Sequence, residues 1–122
     1  MTNMTTIANF FVGLVVIPLH VYFLILEMFF WNKPFGLRTF DLKQEFATAS
    51  KSLAANQGLY NGFLAAGLAW GLILGPTGTS IKVFFLSCVV VAGVFGGLTV
   101  NRKILLAQAI PGAVALALVL LS

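Results

Sequence analysis

Three polar side chains that could carry chemistry interrupt long apolar runs at matching positions: Glu27, Gln57 and Gln108. Each lies four residues from one end of its run, which is about 6 Å along a helix. Polar groups retained in apolar helices usually face other helices or water, because lipid does not solvate them. A carboxyl group and two amides at one depth therefore predict a polar pocket near one end of a helical bundle.

The run that holds Gln57 supplies three more polar side chains, Asn56, Tyr60 and Asn61. Gln57 and Asn61 are four residues apart and share a helix face, so this amide pair could donate and accept hydrogen bonds toward the Glu27 carboxyl. Asn56 and Tyr60 occupy neighbouring levels of the same helix. The spacing predicts one pocket for a small-molecule ligand or a proton, lined by Glu27, His20, Gln57, Asn61, Tyr60, Asn56 and Gln108.

Glu27 and His20 are the candidate proton carriers of this pocket. They are seven residues apart and share a helix face, but about 10 Å of axial separation means that water or a ligand must join them. Glu27 could exchange a proton, or it could instead form a clasp with Arg102 or Lys103 as its charge partner. His20 could relay protons, or it could bond a backbone carbonyl that Pro18 frees.

Other chemistries find little support in the sequence. One histidine and one cysteine provide no metal-ligand spacing, and we expect neither a metal nor a cofactor. Ser87 and Cys88 have no acid or base near them in the sequence, so a hydrolase is not supported. An enzyme is therefore the less favoured interpretation.

The composition excludes a water-soluble protein. Of the 122 residues, 60% are hydrophobic and 8% are charged, whereas about a quarter of the residues in soluble domains are charged. This excludes a cytosolic enzyme or a transcription factor. The net charge of +4 comes from scattered cations that form no stripe for tracking phosphates, so we expect no nucleic-acid partner. The expected partner is a lipid bilayer.

Four apolar runs, each of 18 or more residues, are long enough to cross that bilayer: 7–31, 53–75, 83–100 and 104–121. A transmembrane β-barrel would need short alternating strands rather than unbroken apolar runs. The predicted fold is all-α, a single four-helix transmembrane bundle over residues 1–122.

The cations are distributed unevenly along the chain. Loop 32–52 carries four of them and turn 101–103 carries two, whereas the opposite side carries only Lys82. Because cytoplasmic loops are enriched in Lys and Arg, both loops are predicted to face the cytoplasm and both termini to lie outside. We expect a bacterial cell membrane, with the polar pocket opening toward the cytoplasm.

Loop 32–52 also contains a segment with helical character. Asp41 or Thr39 could cap a helix that runs through Leu42 and Phe46 toward Leu53. Lysines on one side and apolar residues on the other predict that this helix lies at the membrane interface.

Glycines and prolines indicate how the helices pack. Several glycine pairs fit GxxxG, namely 58/62, 67/71, 71/75 and 93/97. They predict close helix packing within the chain, and the alternative is the seam of a homodimer. Pro18 and Pro111 are expected to disturb the helices of the first and fourth runs.

Three strings in which these polar residues occur carry a resemblance: residues 20–29 (HVYFLILEMF), 55–64 (ANQGLYNGFL) and 102–108 (RKILLAQ). They resemble the small membrane proteins of the family called domain of unknown function 1304. The resemblance covers nearly the whole chain. Its most specific part is the run NQGLYNG at residues 56–62. The resemblance implies a multi-pass membrane protein and no established activity, substrate or catalytic residue.

Three functions compete. The leading hypothesis is a protein that binds or transports a small molecule or ion, in which Glu27 exchanges a proton for the ligand. The size of the chain and the carboxyl in its first span resemble small multidrug transporters, an architectural analogy only. The second hypothesis is a structural or accessory membrane subunit, and the third is an intramembrane enzyme with Glu27 and His20 as acid and base.

Overall fold

The structure, a computed structural model, describes residues 3–122, and every regular element in that part of the chain is helical. No strand occurs among these residues, which confirms the all-α prediction. The helices are α1 (Met4–Phe29), α2 (Pro34–Phe40), α3 (Gln44–Ala49), α4 (Lys51–Ile73), α5 (Thr79–Thr99) and α6 (Leu105–Leu121). A 3₁₀ turn, Gly75–Gly78, directly precedes α5.

Local side chains and backbone define where the helices begin and end. Asn3 caps α1, because its Oδ1 accepts a hydrogen bond from the Thr6 N–H at 2.9 Å. Pro34 begins α2 at a position where its missing N–H costs no helical hydrogen bond. α4 ends before Gly75, whose φ of 61° lies in the left-handed region that glycine adopts without strain.

Pro18 and Pro111 each follow a π-helical stretch, Val12–Val16 in α1 and Leu105–Ala109 in α6. The N–H that follows each stretch donates to the carbonyl five residues earlier. A proline has no N–H to continue the normal ladder, so a local wider turn can take up the mismatch. The disturbance expected at these prolines is thus a change of hydrogen-bond register within continuous helices.

The described chain forms two compact units. Unit 1 comprises the described residues up to Pro18 together with Leu64–Ser122, and unit 2 is Leu19–Phe63. In unit 1, α6 packs against α5 and against the first part of α1. Mostly small and β-branched residues form its core, which lets the helices approach closely: Ala8, Val12, Val16, Leu68, Leu86, Val89, Ala115 and Val119.

Trp31 organises unit 2 beyond the end of α1. Its ring centroid lies 5.0 Å from that of Phe40 in α2. Its indole N–H donates to the Ser50 hydroxyl at 3.0 Å, at the junction between α3 and α4. A Cβ at Gly36 would overlap the Phe30 carbonyl, so α2 lies directly against the end of α1. These contacts fold the segment between α1 and α4 onto itself.

Loop 32–52 differs from the helix predicted for it. α3 and the start of α4, which are separated at Ser50, take the place of the single helix expected from Leu42 to Leu53, and α2 precedes that range. Asp41 ends α2 with a φ of 55° instead of capping a following helix, because its backbone takes the left-handed conformation that aspartate tolerates. Thr39 lies inside α2, where its hydroxyl donates to the Phe35 carbonyl. The predicted cap at Asp41 or Thr39 is therefore wrong.

Two helical segments are long and apolar enough to cross a membrane, Met4–Phe29 and Gly75–Thr99. α6 is apolar but shorter, and α4 carries several polar side chains that lower its hydropathy. The described chain therefore supports two candidate spans by length and composition, and the four-span bundle stays a prediction.

Several glycines of the GxxxG pairs meet other residues of their own unit. A Cβ at Gly58 would lie 2.8 Å from Met28 Cγ, and one at Gly93 would lie 2.6 Å from the Ala109 nitrogen. Such contacts favour packing within the chain as the role of these glycines. The homodimer seam stays a prediction.

Candidate functional site

Glu27 and Asn61 form a buried polar pair in unit 2. The Asn61 side-chain amide donates a hydrogen bond to Glu27 Oε1 at 2.5 Å. Each side chain is 8% exposed. The pair joins α1 to α4 across 34 residues of sequence. It is thus a specific tertiary contact between two polar groups that the sequence placed at neighbouring depths.

Gly58 brings the two helices of this pair together. A Cβ at position 58 would lie 3.1 Å from both Glu27 Cβ and the Leu24 carbonyl oxygen, and closer still to Met28. Because glycine has no side chain, α4 can lie directly against α1 at this level. Asn61, three residues further along α4, then reaches the carboxyl group with its short side chain.

The lysine and arginine side chains of unit 2 are exposed, whereas Glu27 is buried. These four lysine and arginine side chains are Lys33, Arg38, Lys43 and Lys51. Within this unit the Glu27 carboxyl is held by a neutral amide, which orients the group but supplies no countercharge. Oε2 is the oxygen left to hold a proton or to meet a cation.

The other polar residues of α4 point elsewhere. Asn56 donates its side-chain amide to the Tyr60 hydroxyl at 2.9 Å, and both residues are exposed. Gln57 is also exposed, although its spacing gives it nearly the same helix face as Asn61. Of the four polar candidates on α4, the structure therefore brings Asn61 to the Glu27 carboxyl.

His20 lies earlier on α1 in the same unit and is completely buried. Its ring meets Phe23 edge-on, with 5.7 Å between the ring centroids. Two turns of helix separate it from Glu27, as the sequence requires. The idea that water or a ligand joins the two side chains stays a prediction.

Gln108 belongs to unit 1 and lies in the π-helical stretch of α6. It is 9% exposed, and its amide donates to the Val89 carbonyl of α5 at 3.3 Å. Arg102 and Lys103 also belong to unit 1, and both are exposed in the turn before α6. A shared pocket with Glu27, or a clasp between Glu27 and Arg102, stays a prediction.

The sequence interpretation missed a second buried polar pair, Lys82 with Asn9. Lys82 counted there as a cation of an outer loop, but it lies in the first turns of α5 and is only 4% exposed. Its ammonium group donates to Asn9 Oδ1 in α1 at 2.8 Å. Both residues lie near the beginning of an apolar helix. Counting depths from that end, as was done for Glu27, would have placed them at similar levels.

Comparisons with known proteins identify the family of this chain. The family model described as "Protein of unknown function (DUF1304)" matches residues 13–120. The uncharacterized protein YpaA of Lactococcus lactis subsp. lactis (strain IL1403) is 31% identical over 105 residues, which cover 84% of this chain and 88% of that protein. No solved structure matches. The chain belongs to the DUF1304 family of proteins of unknown function.

Proposed function

We propose that this protein is an integral membrane protein that binds a monovalent cation at Glu27 in exchange for a proton, and that it transports the cation and the proton across the membrane. The main support for this proposal is the buried Glu27 carboxyl, which accepts a hydrogen bond from the neutral Asn61 amide at 2.5 Å. A buried acid whose hydrogen-bond donor is a neutral amide is suited to exchange one positive charge for another.

The proposed architecture is a bundle of four transmembrane helices. Two segments have the length and hydropathy of membrane spans. α4 has 23 residues, which is about 34 Å of helix and enough for a hydrocarbon core of about 30 Å. α6 is short but apolar throughout its α-helical part. The excess of cations in loop 32–52 and turn 101–103 supports cytoplasmic loops and outside termini.

The exchange step uses atoms of the Glu27–Asn61 pair. In the proton-loaded state Oε2 carries the proton, while Oε1 accepts the hydrogen bond from Asn61. A cation that binds the carboxylate displaces that proton to water, so the charge at the site is conserved. The Asn61 hydrogen bond persists in both states, since an amide can donate to a neutral or an ionised carboxyl group.

Infrared spectroscopy of the reconstituted protein tests this exchange. Tetraphenylphosphonium, a lipophilic cation, is added at constant pH, and the loss of the neutral carboxyl band is recorded together with proton release. We expect about one proton for each cation bound, and no response in Glu27→Gln. Glu45→Gln is the matched control, because Glu45 is an exposed carboxyl of α3 and should leave the response intact.

A second candidate function, an accessory or structural subunit, is favoured by two hydrogen bonds. The Gln108 amide is already bonded to the Val89 carbonyl, and Asn61 is already bonded to Glu27, as expected of residues that join helices. Asn61→Leu would lower thermal stability in detergent under either function, so proton release decides between them. An accessory subunit would release no protons when the cation is added.

A further inference from the structure

Unit 1 contains a buried cation, Lys82, but no acidic side chain. The three acidic residues of the sequence, Glu27, Asp41 and Glu45, all lie within Leu19–Phe63, which is unit 2. Lys82 lies in unit 1 and is 4% exposed. A buried ammonium group needs compensation for its lost hydration, and one amide oxygen supplies a hydrogen bond but no negative charge.

The fold provides a dedicated place for the lysine stem. A Cβ at Gly71 of α4 would lie 2.6 Å from the side-chain atom Lys82 Cγ and 3.2 Å from the Lys82 backbone nitrogen. The absence of a side chain at Gly71 thus lets the methylene groups of Lys82 cross α4 at close range. The stem is buried against backbone, and the ammonium group is directed to Asn9.

Asn9 connects the ammonium group to a cleft. Its Oδ1 accepts the hydrogen bond from Lys82, which leaves the two N–H donors of its amide for another acceptor. Asn9 also lines a cleft of about 340 Å³, together with Thr6, Phe10 and Leu72. The cleft therefore combines polar donors, a positive charge behind them and apolar walls.

We propose that this cleft binds the phosphate group of an anionic phospholipid. The phosphate oxygens accept hydrogen bonds from the Asn9 amide, and the Lys82 charge behind Asn9 compensates the phosphate. Phe10 and Leu72 contact the glycerol and acyl portions. Asn9 and Lys82 each lie within the first two turns of an apolar helix, the level at which headgroups meet a transmembrane segment. The site is independent of Glu27.

Native mass spectrometry of protein extracted from vesicles of phosphatidylglycerol and phosphatidylcholine tests the proposal. The wild-type protein should retain phosphatidylglycerol selectively. Lys82→Met keeps most of the stem but removes the charge, and we expect retention to fall about fivefold, the equivalent of about 1 kcal/mol for one lysine near a lipid surface. The control is Lys103→Met, which removes an exposed cation of unit 1 and should change retention little.

A second variant keeps the test valid if Lys82→Met does not fold. Asn9→Asp places a carboxylate beside Lys82, so an internal ion pair should replace the lipid phosphate and abolish selective retention in a folded protein. Retention of phosphatidylglycerol at the wild-type level in either folded variant would overturn the proposal. A neutral Lys82 amine or a purely structural pair would give that result.

Inorganic phosphate distinguishes the two sources of the phosphate group. If it raises the thermal stability of the wild-type protein but not of Lys82→Met, and no lipid is retained, the phosphate chemistry is correct and the lipid source is wrong. Selective lipid retention that inorganic phosphate does not displace supports the phospholipid, because the apolar walls then contribute to binding.

Discussion

The amide of Asn61 lies 2.5 Å from the Glu27 carboxyl, and the two side chains are buried together between α4 and α1. The contact is selective, since the neighbouring polar residues Gln57 and Tyr60 are exposed. An amide cannot neutralise a carboxylate, although it fixes the position of one oxygen. The geometry therefore separates two roles, orientation by Asn61 and proton exchange by Glu27, and each can be tested.

The Glu27–Asn61 hydrogen bond should appear as energetic coupling. Asn61→Leu leaves a buried carboxyl without its donor and should lower the free energy of unfolding by about 1–3 kcal/mol. In a double-mutant cycle with Glu27→Leu, which removes the acceptor, we expect a coupling energy of about 0.5–3 kcal/mol. Thermal or chemical unfolding in detergent measures both quantities. Strictly additive effects would show that the contact does not stabilise the protein.

Gly58→Ala should weaken the same helix contact. The new methyl group would lie 3.1 Å from the Leu24 carbonyl oxygen, so α4 must move away from α1. We expect a loss of about 1–3 kcal/mol in the free energy of unfolding and a smaller Glu27–Asn61 coupling energy.

Gly13→Ala is the matched control for this change. A Cβ at Gly13 would make only an ordinary contact, 3.4 Å from Leu72 Cδ1. Its free energy of unfolding should stay within about 1 kcal/mol of wild type. Equal losses in the two variants would mean that the close approach at Gly58 is unimportant.

Ser50→Ala should loosen the segment between α1 and α4. The variant removes the hydroxyl that accepts the Trp31 indole N–H at 3.0 Å, and the expected loss is about 1 kcal/mol. In a Trp70→Phe background, Trp31 is the remaining tryptophan. Its emission should shift to longer wavelength, because water replaces the serine. Ser52→Ala removes an exposed hydroxyl and should leave the emission unchanged.

The proposed orientation predicts which residues a membrane-impermeant thiol reagent reaches. Cys88→Ser removes the single native cysteine. In that background a cysteine at Lys33 or Lys103 should react only after the membrane is opened, whereas one at Thr77 should react in intact cells. All three positions are exposed in the described chain. The opposite labelling pattern would invert the topology, and labelling from one side only would contradict four spans.

The long apolar helices were predictable because apolar residues recur over many consecutive positions. The apolar run 7–31 corresponds to Met4–Phe29, and the run 53–75 corresponds to Lys51–Ile73. Shifts of a few residues arise at the ends, where local groups such as Asn3 decide the boundary. The loop between them was predicted less well, since the left-handed conformation of Asp41 depends on one residue's backbone rather than on a pattern.

The candidate site was predictable as a set of residues but not as a set of contacts. Counting residues from the ends of the apolar runs selected Glu27 and Asn61 together with Gln57, Tyr60 and Asn56. It could not tell which face of α4 lies against α1, because that depends on the close approach at Gly58. The burial of Lys82 was not predictable for a related reason: a lysine near a helix end can extend into water or fold its stem over a glycine of another helix.

The sequence by itself determined that this chain is helical, strongly apolar and a member of the DUF1304 family, because composition and long apolar runs do not depend on how helices meet. Tertiary structure alone decided that Asn61 meets Glu27 and that Asn9 meets Lys82. A side chain reaches only a few ångströms from its helix, so such pairs require a particular helix rotation and separation. Glycines at Gly58 and Gly71 permit these close approaches.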